Sequence, residues 1–228
     1  MFSRQQSPVA SYLLRVDRVG SYRLILSDVI RLGGPGASGR ADLIQILGPL
    51  SREHAVLRRD RGVYLLSPAQ GGIRIQEDQT VWPGSENLPA STNTQGTLLA
   101  GATVCTPGRQ YEITSGITCR IEMPSPLSLS AKLVVNPGDR LMDRVDGTIL
   151  MDHLLILGPG EQSHVVCRHW QRAGALVHRD GEFWFRAPVG VGVENGGGEE
   201  KIDLQLPLGR YVGSDEIGLF LEPHASGS

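Results

Sequence analysis

The sequence predicts an all-β protein organised as two β-sandwich domains in tandem, on three observations. Glycine (29) and proline (14) recur closely along the 228 residues, which leaves little room for helices of ordinary length. Between these breaks lie short runs rich in β-branched and aromatic residues. Many alternate apolar and polar, as Cys119-Arg120-Ile121-Glu122-Met123 does, the pattern of a strand with one wet face. The third observation is a segment written twice. Ile46-Leu47-Gly48-Pro49-Leu50-Ser51-Arg52-Glu53-His54-Ala55-Val56 returns as Ile156-Leu157-Gly158-Pro159-Gly160-Glu161-Gln162-Ser163-His164-Val165-Val166, with six of eleven positions identical at an offset of 110. A repeat of long period marks two copies of one unit.

In order along the chain, the first copy is expected to place strands at 11–16, 22–26, 29–32, 43–47, 55–57, 63–66, 73–75, 110–113 and 118–122. The second repeats the style at 132–135, 148–151, 153–157, 165–169, 175–178, 182–186, 202–206 and 217–221. Many short strands with turn signals between them argue for sandwiches. Flanking pairs keep the order of the repeat: Arg59-Asp60 with Arg179-Asp180, and Leu98-Leu99-Ala100-Gly101 with Leu206-Pro207-Leu208-Gly209. Pro124-Ser125-Pro126 ends the last strand of the first copy, so the domains are expected to span 1–123 and 127–228. The stretches 82–94 and 196–201 read as surface loops.

Composition narrows the function. The formal charge is −2, from 22 basic and 24 acidic side chains, so no global field favours nucleic acid or an anionic membrane. Three scattered cysteines make no disulfide framework and suit a reducing compartment. No apolar run approaches the ~20 residues of a membrane span, and the first residues lack the apolar core of a signal peptide. A cytoplasmic protein is expected, with neither nucleic acid nor membrane as partner.

Gly34-Pro35-Gly36-Ala37-Ser38-Gly39 fits G-x-G-x-x-G, but a dinucleotide site needs a helix to begin there. Leu43 to Leu47 reads as strand instead, so a loop is expected and no cofactor. His164, Cys167 and His169 gather three metal-ligand types without a matching Cys-x-x-Cys, and Cys167 is read as a small buried apolar residue. Neither Gly-x-Ser-x-Gly, His-Glu-x-x-His nor a phosphate-binding Gly-rich loop ending in Gly-Lys occurs. The chain is expected to be no enzyme.

Ser51-Arg52-Glu53-His54 has a more specific context. It follows Leu32-Gly33-Gly34 and Asp42-Leu43-Ile44-Gln45-Ile46, and precedes Ala55-Val56-Leu57, Tyr64-Leu65-Leu66 and Leu98-Leu99-Ala100-Gly101. This order resembles the forkhead-associated (FHA) domain, with its Gly-Arg, Asp-Ile, Ser-Arg-x-His-Ala, Asn-Gly and Leu-x-x-Gly-Asp pattern. The resemblance runs over 29–123 and more faintly over 148–223. The Pro124–Ser128 phrase after the first unit is also similar to paired FHA proteins of planctomycete-type bacteria.

The resemblance implies two tandem FHA-like sandwiches of eleven strands each, with loops at one end that bind phosphothreonine peptides. Carried over, Ser51 would donate its hydroxyl to the phosphate, Arg52 would supply charge beside it, and His54 would brace the loop. Gly33 matches the glycine of Gly-Arg. The arginine is Gly34 here, with Arg31 and Arg40 nearby as substitutes. The ligand-gripping Asn-Gly is replaced by Ser67 to Gly72, where Gln70 is the nearest amide. Asn195-Gly196 matches the family's second, structural Asn-Gly.

At the aligned place in the second copy, Glu161 and Gln162 replace Ser-Arg while His164 is kept. A phosphothreonine carries about −1.5 to −2 of charge, so this copy is expected to be degenerate. Two functions from different classes follow. One is phosphothreonine recognition that couples a Ser/Thr kinase pathway to a protein partner. The other is a scaffold that binds unphosphorylated partners or holds the two domains together. An enzyme or metalloprotein would have only the weak clusters above.

Overall fold

The computed structural model of the chain describes residues 11–36, 40–70, 75–78, 98–99, 101–187, 193–194, 200–201, 203–214 and 216–224. From the N-terminus, β1 (Ser11–Val16) and β2 (Gly20–Ile25) form a hairpin. Then come β3 (Val29–Gly33), β4 (Leu43–Gln45), β5 (Ala55–Asp60), β6 (Val63–Pro68), β7 (Ile75–Asp78), β8 (Leu98–Leu99), β9 (Thr103–Val104), β10 (Gln110–Thr114) and β11 (Ile117–Glu122). A second hairpin joins β12 (Ala131–Asn136) to β13 (Gly147–Leu150) across a connection with a 3-10 turn at Gly138–Arg140. The chain continues through β14 (Leu154–Gly158), β15 (Val165–Val166), β16 (Gly174–Arg179), β17 (Glu182–Arg186), β18 (Val193–Glu194), β19 (Glu200–Lys201), β20 (Asp203–Gln205), β21 (Tyr211–Gly213) and β22 (Gly218–Pro223). No α-helix occurs among the described residues, so the all-β expectation holds.

Two five-stranded sheets, β4-β3-β5-β6-β9 and β15-β14-β16-β17-β20, pack against one sheet of twelve strands. The twelve run β19-β18-β21-β22-β1-β2-β13-β12-β11-β10-β7-β8. Two apolar cores result. Ile30, Leu32, Ile44, Leu57 and Leu66 meet Tyr111, Ile121, Leu133 and Val135 in the first. Leu155, Leu157, Leu176 and Phe185 meet Leu14, Val16, Leu219 and Leu221 in the second. Among the described residues, each core lies in a sandwich of eleven strands, five from its own sheet and six from half of the long one.

The long sheet distributes its strands against chain order. The N-terminal hairpin does not lie beside β11. It pairs through β1 with β22, Leu14 opposite Leu221, and its Leu14 and Val16 line the second core. The β12–β13 hairpin pairs with β11 instead, Ile121 opposite Leu133, and completes the first core. The two hairpins have changed places. This corrects the contiguous division at 123–127: strands 29–150 build the first sandwich, and 11–25 joins 154–223 in the second. Nor is 124–130 a loose linker. Ser125, Ser128 and Ser130 are buried, Ser130 Oγ donates to Leu154 O at 2.7 Å, and Tyr64 donates to Leu129 O at 3.0 Å.

The halves of the long sheet meet where β2 and β13 run parallel and in register, Leu24 beside Ile149 and Ile25 beside Leu150. Successive side chains of a strand point to opposite faces. Leu24 and Ile149 enter the second core, while Ile25 and Leu150 enter the first. The two five-stranded sheets therefore cover opposite faces of the long sheet. Strands buried on both faces read as unbroken apolar runs, as Leu24-Ile25-Leu26 and Ile149-Leu150-Met151 do.

Arg23, on β2, is 1% exposed. Its Nε donates to Ser11 Oγ at 3.0 Å and Nη2 to Ala41 O at 2.9 Å, and Nη1 pairs with Asp143. His224 Nε2 lies 3.4 Å from the same carboxylate. Burial alone would raise the Asp143 pKa; His224 and Arg23 outweigh it and hold the carboxyl below its ordinary value. One anion thus ties the N-terminal hairpin, the β12–β13 connection and the residue after β22 together.

Two predictions follow from this packing. Residues 27–151, which carry the whole first core except Ile25, should unfold cooperatively as an isolated fragment, whereas 1–123 lacks β12 and β13 and should not. Thermal circular dichroism and amide NMR dispersion check both, and a well-dispersed spectrum for 1–123 would contradict the exchange. The Asp143 pairing contributes above the unfolded carboxylate pKa of about 3.9 and is lost as pH falls through the lower folded value. Asp143→Asn should therefore cost ~3–5 kcal/mol at neutral pH, with the deficit shrinking below about pH 4 in denaturation series at several pH values.

Candidate functional site

The β3–β4 and β4–β5 connections and the start of β6–β7 meet at one end of the first sandwich. Two glycines let the chain close there. A Cβ at Gly33 would sit 1.9 Å from the Arg52 carbonyl oxygen, and one at Gly34 would sit 2.6 Å from that of Leu50. Gly34 N–H donates to Ser51 O and Ile46 N–H to Gly33 O, both at 2.8 Å. Position 34 therefore has no room for the arginine that the FHA pattern puts there. The departure has a steric cause.

His54 holds the loop from below. Its Nε2 lies 2.6 Å from Ile113 O, so this nitrogen carries the proton and donates it. Nδ1 is then the acceptor for Ser51 N–H at 3.3 Å. His54 N–H donates to Leu32 O, and its own carbonyl accepts from Ala69 N–H at 3.0 Å, which brings Gln70 to the same end.

Ser51, Arg52 and Gln70 are exposed. The Ser51 hydroxyl donates to Glu53 O at 2.9 Å. Arg52 has no hydrogen bond or ion pair among the described residues. Arg31 and Arg40, expected as substitute phosphate donors, are engaged otherwise. Both bind Asp42: Arg31 through Nη1, and Arg40 at 3.1 and 3.3 Å. Glu53 lies 3.4 Å from Arg31 Nε and 3.5 Å from Arg40 Nη1. Sequence reasoning missed these carboxylates. The signal was available, since Arg31, Asp42 and Glu53 sit on three adjoining segments.

The offset-110 repeat does not align equivalent strands. Cys167 N–H donates to Gly158 O at 2.8 Å as Ile46 N–H does to Gly33 O, so Gly158 stands for Gly33 and Cys167 for Ile46. The two-residue hairpin turns agree: Arg61-Gly62 has φ of 48° and 85°, Asp180-Gly181 of 53° and 80°. By this pairing Ala173 stands for His54, and Trp170-Gln171 stands for Ser51-Arg52. Glu161 and Gln162, expected as the degenerate Ser-Arg, are exposed in the β14–β15 connection instead. The second copy does present another loop: Trp170 is buried, with Arg168, Gln171 and Arg172 exposed around it.

His164 is fully buried on the β14–β15 connection. Nε2 donates to Ser130 O and Nδ1 accepts from Ile156 N–H, each at 3.1 Å. It repeats the bonding of His54 at a different place, and clasps the strap between the sandwiches. Of the three metal-ligand types near it, Cys167 is buried and His169 exposed. Burial pushes the Cys167 thiol up to about 12, so it is not a thiolate at neutral pH. No group of three or more metal-ligating side chains forms among the described residues. Asn195-Gly196, Ala37 to Gly39 and the 82–94 loop lie outside the described residues.

A solved structure titled "Rv0020c_FHA Structure" matches this chain over 57% of its length and 96% of its own, at 12% identity and a TM-score of 0.27. No family model matches the chain, and no curated protein matches it. No helix among the described residues is long and apolar enough to cross a membrane.

His54→Ala should lower the stability of the first sandwich by ~1–3 kcal/mol through its orphaned backbone partners, read by denaturant unfolding. His164 carries a pH dependence. Burial lowers its pKa, outweighing its bonds to Ser130 and Ile156, so unfolding lets it take up a proton. Its contribution is present above the unfolded value of about 6.5 and is lost as pH falls from there. The melting temperature should drop between pH 7 and pH 5, and drop less in His164→Leu. An unchanged slope would contradict this assignment.

Proposed function

We propose that the chain is a non-catalytic protein-interaction module whose first sandwich takes a phosphothreonine peptide at the Ser51–Arg52 loop. The observation that carries this reading is Arg52, an exposed guanidinium with no partner among the described residues, next to an exposed hydroxyl on a loop pinned by His54 and two glycines. Such a loop meets an anion with little ordering cost, and a charge-assisted hydrogen bond to it is worth ~1.5–3 kcal/mol. Binding residues on loops held by a rigid scaffold are a common arrangement. Gln70, exposed at the same end, is the amide that would contact the ligand backbone. A phosphothreonine ligand implies a Ser/Thr kinase upstream. The second sandwich has Trp170 where the hydroxyl stands and Gln171 where the cation stands, and takes no part in this recognition.

A second reading has its own observation: Asp42 and Glu53 already neutralise Arg31 and Arg40, which suits a scaffold indifferent to phosphate. Fluorescence anisotropy with matched phosphothreonine and threonine peptide pools at fixed salt separates the two, since exposed charge pairs are screened. The expected result is preference for the phosphorylated pool, cut roughly tenfold or more by Arg52→Ala and less by Ser51→Ala, with both variants melting as the parent does. Equal affinity for the two pools, or indifference to Arg52→Ala, leaves the scaffold.

A further inference from the structure

The carboxylates around Arg31 and Arg40 are not equivalent. Asp42 is 3% exposed and bonds both arginines directly; it is part of the frame. The Glu53 side chain is 39% exposed and reaches the same two arginines only at 3.4 and 3.5 Å, one oxygen to each. It lies between the Ser51-Arg52 pair and His54. The Nε–H of Arg31 is buried and makes no hydrogen bond, although the Glu53 carboxylate is its neighbour. A buried donor left without an acceptor is costly, and an anion seated closer to it than Glu53 would satisfy it.

We propose that Glu53 is a built-in competitor for the anion at this site, holding Arg31 and Arg40 until a phosphoryl group displaces it. The inference rests on the phosphothreonine reading above and adds the regulation of that site. A phosphoryl group offers three acceptor oxygens and a charge of about −1.5 to −2, against two oxygens and one charge on Glu53. Displacement exchanges two long, half-solvated contacts, of a kind worth little individually, for shorter ones to the same guanidinium groups. Glu53 swings into solvent, since its carboxylate is already part-exposed. Asp42 stays and keeps the arginines aimed. The site thereby discriminates by charge: a glutamate or aspartate in a peptide carries no more charge than Glu53 and gains nothing by replacing it, whereas a phosphothreonine does.

The test compares the full-length protein with Glu53→Gln, nearly the same shape without the charge, and with the double variant Glu53→Gln/Arg31→Ala. The probes are the phosphothreonine peptide pool, its dephosphorylated match and a pool with glutamate in place of phosphothreonine. Glu53→Gln should bind the phosphorylated pool about tenfold tighter, ~1.4 kcal/mol, and admit the glutamate pool. The double variant should lose the gain, and the dephosphorylated pool should be unaffected. In the parent protein, NMR should show the Arg31 Nε–H signal shifting and exchanging more slowly with the phosphorylated pool, which tests displacement without any mutation. If the parent prefers the phosphorylated pool but Glu53→Gln binds it no tighter, the competitor role is overturned and the phosphothreonine reading stands. If neither protein binds that pool, both are overturned.

Discussion

The structure depends on two strands that sit side by side where the two sandwiches meet. β2 and β13 run parallel and in register, and each sends neighbouring residues into different cores. Leu24 and Ile149 close the second sandwich; Ile25 and Leu150 close the first. A one-residue slip of either strand would turn every one of these side chains to the wrong core, so both cores share one register. The same pair removes the exposed edge that each six-stranded half would otherwise carry, an edge prone to pairing with other chains. Arg23 fixes the joint from one face, since a buried cation without Asp143 would be strongly destabilising.

The joint also reaches the candidate site. The connection between β12 and β13 lies along β4: Leu47 N–H donates to Arg140 O at 2.7 Å and Met142 N–H to Gln45 O at 3.1 Å. Arg23, from the other exchanged hairpin, donates to Ala41 O beside Asp42. The loops that carry Arg40, Asp42 and Ser51 are thus braced by segments that belong, in sequence, to the start of each copy. Bracing of this kind would lower the ordering cost of any ligand these loops take.

Much of the fold was legible in the sequence. Gly and Pro spacing and the alternation in Cys119-Arg120-Ile121-Glu122 mark the strands, and repeat order marks two units. The exchange of hairpins was not legible, because pattern reports which faces a strand buries but not which equivalent partner it meets. Leu24-Ile25-Leu26 did carry a trace of it, as an apolar run too continuous for an edge strand with one wet face. The false alignment of His164 with His54 has a simple cause. Ile-Leu-Gly-Pro occurs once after β4 and once at the end of β14, and each is followed by a histidine that clasps backbone. At the candidate site, Ser51 and Arg52 lie exposed on the β4–β5 connection. For Arg31 and Arg40 the sequence shows the cations without showing that Asp42 and Glu53 face them.

Strand pairing read by NMR on the full-length protein in dilute solution tests the hairpin arrangement. Backbone NOEs should join Leu14 on β1 to Leu221 on β22, Ile121 on β11 to Leu133 on β12, and Leu24 on β2 to Ile149 on β13. NOEs joining β1 to β11 and β12 to β22, with the same two cores otherwise formed, would show each copy keeping its own hairpin and would contradict the account.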